Sequence, residues 1–356
     1  MLFAKAAPQH FHSRVSKSSL LACFLLYKND KSKTIAMNKI RIYQFTDPVC
    51  VWCWGNEPAI RALDYLYGDK ISIEYVMGGL IEDITTLYDL SGPKNIIIER
   101  ANEIIANNWI TASARHGMPV NIEHMSLFSE RYPSSFPQNI AYEAAKRINP
   151  ALAKKYLRRI REATFLEQRR TSQMDVLVEL ATEVGFDAAQ FIDKYTTGSA
   201  PGDFMQERMR CRRNGITGFP SYLIKNDSTK IILGGYQNLS TLHTVIGRLS
   251  DGKIKPRKLG PSQANVMDFM RRYESVYPVE IEVAFGLDRD RTDLILDQLI
   301  RAGKVISATV GNGQRLTIAN SAKTSHTHHS DEQLFSISSK KDNNHKPVRE
   351  KEMVKR

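Results

Sequence analysis

Asp47-Pro48-Val49-Cys50-Val51-Trp52-Cys53-Trp54-Gly55 is the stretch on which the reading of this chain turns. The apolar run Ile40-Arg41-Ile42-Tyr43-Gln44-Phe45 precedes it and reads as a strand, with Asp47-Pro48 as the break. Behind it, Glu57–Leu66 has helical spacing, so the two cysteines fall where a helix begins. Unpaired backbone N–H groups and the helix dipole favour an anion there. A thiolate at such a place has a lowered pKa, and the thiolate is the form that attacks a disulfide. Two cysteines three positions apart also reach each other, so the C-x-x-C pair points to redox chemistry. Two blander readings compete: half of a structural zinc site, or two cysteines in a core. Zinc needs four ligands, yet Cys23 and Cys211 are single, and His326-Thr327-His328-His329 belongs to a polar tail. No metal and no cofactor is expected.

A second strand-like run, Ile71–Met77, ends in Gly78-Gly79 and completes a β-α-β unit with parallel strands. From about Pro93 to Gly198 helical patterns follow one another: Asn95–Arg115, Ser135–Ile148, Ala151–Glu167, Gln173–Val184 and Ala188–Tyr195. Ala200–Arg213 reads as a helix leading back. Ser221–Ile224 and Lys230–Gly235 then read as hairpin strands, and Leu239–Leu249 as a closing helix. The order β-α-β, helices, β-β-α is that of an α/β thioredoxin fold with a helical insertion at about 93–199.

Gly215-Ile216-Thr217-Gly218-Phe219-Pro220-Ser221 gives a second signal. A proline cannot donate to a sheet ladder, so it belongs at a strand start or an edge. With the C-x-x-C pair upstream and this topology between, Pro220 is expected to be a cis-proline facing the cysteines. The competing reading is an ordinary trans proline in a turn.

Asp47–Gly55 with Glu57-Pro58 following, Ser134-Ser135-Phe136-Pro137 opening a helix, and Gly215–Pro220 together resemble the DsbA-like thioredoxin family over about residues 38–250. The match is nearest to its FrnE-type, predicted protein-disulfide isomerase branch. The resemblance implies that Cys50 attacks, Cys53 resolves and Pro220 is the cis-proline, with Phe219 and Thr217 lining a substrate groove. The backbone before Pro220 would pair with an extended substrate. Trp52 is expected to shape the groove, whereas Trp54 stands open between groove and core.

The function so implied is a thiol–disulfide oxidoreductase or isomerase acting on protein or small-molecule disulfides. Its partners would be protein or peptide thiols and disulfides, with glutathione or thioredoxin as candidate electron partners. Glutathione-dependent isomerases of chromene carboxylates share the fold but lack paired cysteines, so Cys53 argues against them. Adaptor proteins of Gram-positive proteases share the fold and a Cys-rich start. The alternative is therefore an adaptor that holds a partner, with the thiols as redox sensor. Cys211 reads as a buried inert thiol or a third redox thiol. His116 and His124 have no partner at a telling spacing and are left unassigned.

The formal charge is +12, of which residues 1–36 carry +5 and residues 321–356 +3, leaving about +4 for residues 37–320. The basic balance is thus largely a property of the ends and gives little support to a nucleic-acid face. Residues 1–36 read as an unstructured extension or upstream start. Their apolar Ser19–Tyr27 run is too short to span a membrane, though it leaves open a secretion signal. A cytoplasmic protein is expected, with export as the alternative. Residues 320–356 read as a disordered tail.

Residues 262–319 read as a separate module. Ala264–Tyr277, Val279–Phe285 and Arg289–Ala302 have helical patterns, and Lys304–Val310 and Gln314–Ile318 flank the hairpin signal Gly311-Asn312-Gly313. Three helices and a hairpin resemble a winged helix. The third helix carries Asp290, Asp293 and Asp297 against Arg289, Arg291 and Arg301. That balance opposes phosphate, so neither nucleic acid nor membrane is expected as a partner, and an interaction or structural role is preferred.

Overall fold

The computed structural model describes residues 39–319. The expectations for residues 1–36, with Cys23, and for the 320–356 tail lie outside the described residues.

Strand β1 (Ile40–Thr46) lies between β2 (Ile71–Met77) and β3 (Ser221–Lys225), and β4 (Lys230–Gly234) completes the order β2-β1-β3-β4. It pairs parallel with β2, Ile42 opposite Ile73, and antiparallel with β3, Ile42 opposite Ile224. Ile40, Ile42 and Phe45 are fully buried. A central strand covered on both faces has no polar side, which is why its sequence reads as a near-continuous apolar run.

Helices α1 (Val51–Gly55) and α2 (Glu57–Tyr67) connect β1 to β2. Pro58, in the first turn of α2, stands where its missing N–H costs nothing. Between β2 and β3 come α3 (Lys94–His116), α4 (Phe136–Ile148), α5 (Pro150–Phe165), α6 (Met174–Val184), α7 (Ala188–Thr196) and α8 (Ser199–Arg213). Asn149 caps α5 by accepting from the Ala151 and Leu152 amides, both at 3.1 Å. Gly117 ends α3 with φ 77°, a left-handed residue that suits glycine. Helix α9 (Leu239–Leu249) closes a thioredoxin fold interrupted by a helical insertion.

The C-terminal module comprises α10 (Gln263–Tyr273), β5 (Ser275–Val276), α11 (Pro278–Phe285), α12 (Arg289–Arg301), β6 (Val305–Val310) and β7 (Gly313–Ile318), with sheet order β5-β7-β6. This is the winged-helix-like arrangement read from the sequence, with one correction. The helix expected over Ala264–Tyr277 stops at Tyr273. Glu274 takes φ 61° as its amide bonds to the Met270 carbonyl, and Ser275-Val276 then pair with Thr317-Leu316.

The module shares its core with the thioredoxin part. Phe269, Met270, Ile281 and Leu316 belong to the apolar cluster that holds Ile40, Leu63 and Leu66. The wing turn is also held within the chain. The Asn312 side-chain oxygen accepts from the Val120 amide at 2.8 Å, and the Asn312 backbone N–H donates to the Val120 carbonyl at 3.1 Å. Gly311, at φ 51°, lies so near that a Cβ would stand 2.2 Å from the Val120 oxygen. Among the described residues no helix is long and apolar enough to cross a membrane.

Candidate active site

The loop leaving β1 is held by a single carboxylate. Asp47 is fully buried and accepts from the Val49 amide (2.9 Å), the Leu80 amide (2.7 Å), Ser135 Oγ (2.9 Å) and Asn139 Nδ2 (2.8 Å). Burial outweighs these donors and holds its pKa above the usual carboxylate value. Ser135 and Asn139 belong to the start of α4, so the Ser134-Ser135-Phe136-Pro137 motif anchors the cysteine loop to the insertion.

Cys50 then occupies the N-cap of α1 with extended backbone, φ −78° and ψ 110°, and its Sγ accepts from the Cys53 amide at 3.2 Å. A sulfur thus fills the place usually taken by a capping oxygen. The Cys50 thiol also donates to the Phe219 carbonyl at 3.5 Å, and the Phe219–Pro220 bond is cis. The fold therefore brings Cys50, Cys53, Phe219 and Pro220 together. The Phe219 ring lies against Gly78, where a Cβ would meet it at 1.9 Å. Thr217 is exposed.

The thiols differ in access and charge. Cys50 is 4% exposed and Cys53 wholly buried, which makes Cys50 the outer sulfur. Burial, then the Cys53 thiol, pushes Cys50 well up. At Cys53 burial opposes ionisation, but the Cys50 hydrogen bond and the Arg161 guanidinium outweigh it and lower its pKa. The two thiols titrate as a pair: burial opposes an anion there, while the hydrogen bond between them and the Arg161 guanidinium favour one.

Trp52 is half-buried, edge-on to His116 (5.8 Å) and Tyr236 (6.1 Å). Trp54 is a core residue: its Nε1 donates to the Pro119 carbonyl at 2.8 Å, and it stacks on Phe165 at 5.6 Å. His116, unassigned from the sequence, packs against the cysteine helix. Its ring covers Gly55, where a Cβ would come within 2.2 Å, and its Nδ1 accepts from the Met118 amide at 3.1 Å. Burial lowers its pKa to about 4. Asn56 clamps the segment after β4, donating to the Gln237 carbonyl at 2.6 Å and accepting from its amide at 2.9 Å. Cys211 packs among Tyr43, Phe45, Val76 and Leu223, and burial pushes its thiol up to about 11. Among the described residues no three His, Cys, Asp or Glu side chains gather as metal ligands.

A thioredoxin fold with a helical insertion and a C-x-x-C pair beneath a cis-proline defines a DsbA-like thioredoxin-fold protein. The thioredoxin family model matches residues 43–243, and the chain belongs to that family. A Halalkalibacterium halodurans protein named ClpXP adapter protein SpxH is 24% identical over 288 residues, covering 80% of this chain and 90% of that protein. The Bacillus subtilis protein of the same name is 20% identical over 279 residues, covering 77% and 87%. A solved structure from Nitrosomonas europaea, described as a candidate protein disulfide isomerase, superposes with TM-score 0.51 at 19% identity, covering 60% of this chain and 99% of that one.

Proposed function

We propose that the protein is a thiol–disulfide oxidoreductase working through Cys50 and Cys53. The observation that carries this reading is the Cys50 sulfur at the N-cap, 3.5 Å from the carbonyl that precedes the cis-proline. Loss of one of the pair's two protons gives a single thiolate, and with the remaining proton on Cys53 the anion stands on Cys50. There the Cys53 N–H and the helix start receive it. Cys50 Sγ attacks one sulfur of a substrate disulfide, which forms a mixed disulfide and expels the other sulfur as a thiolate. Cys53 then attacks Cys50 Sγ, closes the Cys50–Cys53 disulfide and releases the second thiol. Two electrons and two protons pass from the protein to the substrate, and every step runs backwards when the pair begins oxidised. Phe219, Thr217 and Trp52 form the substrate edge, with protein or peptide disulfides as substrates and a small thiol such as glutathione, or thioredoxin, as electron partner.

The test is turnover of a model disulfide, followed by its loss in Cys50→Ser. A second reading has its own support. The Halalkalibacterium halodurans protein named ClpXP adapter protein SpxH matches over 288 residues, a longer span than the thioredoxin family match. On that reading the chain holds a protease partner and the thiols report redox state. Protease-partner binding that persists in Cys50→Ser, with no turnover in the parent protein, would decide for the adaptor.

A further inference from the structure

A buried ion network joins the C-terminal module to the cysteines. Glu280, on α11, is fully buried. Its carboxylate accepts from Arg158 Nη1 and Nη2 at 3.1 and 3.2 Å, from Arg61 Nη1 at 3.1 Å and from the Tyr277 amide at 2.9 Å. Arg158 also donates to Glu162 at 2.9 Å and to Glu57 at 3.3 Å. Glu57, one helical turn beyond Cys53, pairs with Arg161. Arg161, fully buried on α5, donates its Nη2 to Thr46 Oγ1 at 2.6 Å, at the end of β1 beside the cysteine loop.

The charges balance: Arg61, Arg158 and Arg161 face Glu57, Glu162 and Glu280. Arg161 Nε–H is buried without a partner, so the network keeps one donor in reserve. A thiolate would be its fourth anion. With these side chains a tenth exposed or less, one carboxylate more or less changes the stability of that anion appreciably.

We propose that Glu280 of the C-terminal module, acting through Arg158, Glu57 and Arg161, sets the thiol–disulfide equilibrium of the Cys50–Cys53 pair. The module is then a positioning element for the thiol chemistry. This rests on the oxidoreductase reading and adds what tunes it. The lowered Cys53 pKa, with Arg161 among its causes, agrees. The other groups facing the pair are Asp47, which disfavours the anion on Cys50, and the buried phenol of Tyr222, while the Tyr75 ring lies against Arg161; both phenols are neutral in the ordinary range.

The experiment equilibrates the full chain and its Glu280→Gln and Arg161→Met variants in glutathione buffers, with thiolate ultraviolet absorbance followed against pH. Removing an anion favours the thiolate, and a favoured thiolate stabilises the dithiol. Glu280→Gln is expected to shift the equilibrium about tenfold toward the dithiol, about 30 mV more oxidising, with a lower thiol titration. Arg161→Met is expected to move both readouts the other way, and Arg161→Lys to stay within about threefold of the parent. Opposite signs for removal of an anion and of a cation would not follow from structural damage. Should Glu280→Gln not fold, Glu162→Gln carries the same sign at the network's edge. The inference is overturned if folded variants keep the parent's midpoint and titration. A parent chain that forms no Cys50–Cys53 disulfide would instead sink the oxidoreductase reading, and the thiolate titration would still judge the network.

Discussion

The Cys50 thiol donates to the carbonyl of Phe219, 169 residues along the chain, at 3.5 Å. That bond joins the N-terminus of α1 to the start of β3, and on the proposed reading these are the two places where the attacking sulfur and the substrate meet. Replacing Cys50 with Ser is expected to abolish disulfide turnover. Cys53→Ser should retain attack but not resolution, and so accumulate a mixed disulfide. Intact-mass measurement after incubation with glutathione disulfide checks both: one glutathione adduct on Cys53→Ser and none at position 50 of Cys50→Ser.

Asp47 answers four donors from three segments of chain. Asp47→Ala leaves the Val49 and Leu80 amides, Ser135 and Asn139 buried without their acceptor. A loss of about 3 kcal/mol is expected, in the range for breaking a buried charged hydrogen-bond set. Urea unfolding measures it. A change under about 1 kcal/mol would mean that water or a rearranged loop replaces the carboxylate.

His116 is buried neutral, with a pKa near 4 against 6.5 when free. Between those values the unfolded chain binds the proton and the folded one does not, so stability falls as pH drops from about 6.5 to about 4. The span amounts to roughly 3 kcal/mol from the size of the shift. His116→Gln should lose this pH dependence relative to the parent. Parallel stability-versus-pH curves for the two proteins would rule it out.

Gly311 stands against the Val120 oxygen in a left-handed conformation, at φ 51°. Gly311→Ala adds both a clash and backbone strain, and about 1–3 kcal/mol of destabilisation is expected. Hydrogen exchange localises it: the Asn312 amide, bonded to the Val120 carbonyl, should lose protection, while the amides of β1 keep theirs.

What the sequence shows and what it hides divide by range. The insertion helices are amphipathic or capped locally, so Asn95–Arg115 as read differs from the Lys94–His116 helix by one residue at each end. The cysteines at a helix start follow from the strand, break and helix in succession. Pro220 is legible through topology alone, because nothing near it in sequence says what it faces. His116 is not legible: its partners Trp52 and Gly55 lie over sixty residues away. Arg158 and Arg161, in the run Lys154-Lys155-Tyr156-Leu157-Arg158-Arg159-Ile160-Arg161, look like the solvated side of a helix. Their carboxylates, Glu57 and Glu280, come from about a hundred or more residues away on either side. The overrun of α10 has a different cause. Two residues, Ser275-Val276, are too few to set a strand's alternation against the helical period that precedes them.

The most direct test is the reduction potential of the Cys50–Cys53 pair, taken by equilibrating the full chain in glutathione buffers, alkylating and weighing it. The expected result is one two-electron transition between about −270 and −120 mV, in which Cys50 and Cys53 lose alkylation together while buried Cys211 takes no part. Cys50 and Cys53 remaining alkylated across the whole range, or a transition that survives Cys50→Ser, would contradict the oxidoreductase reading.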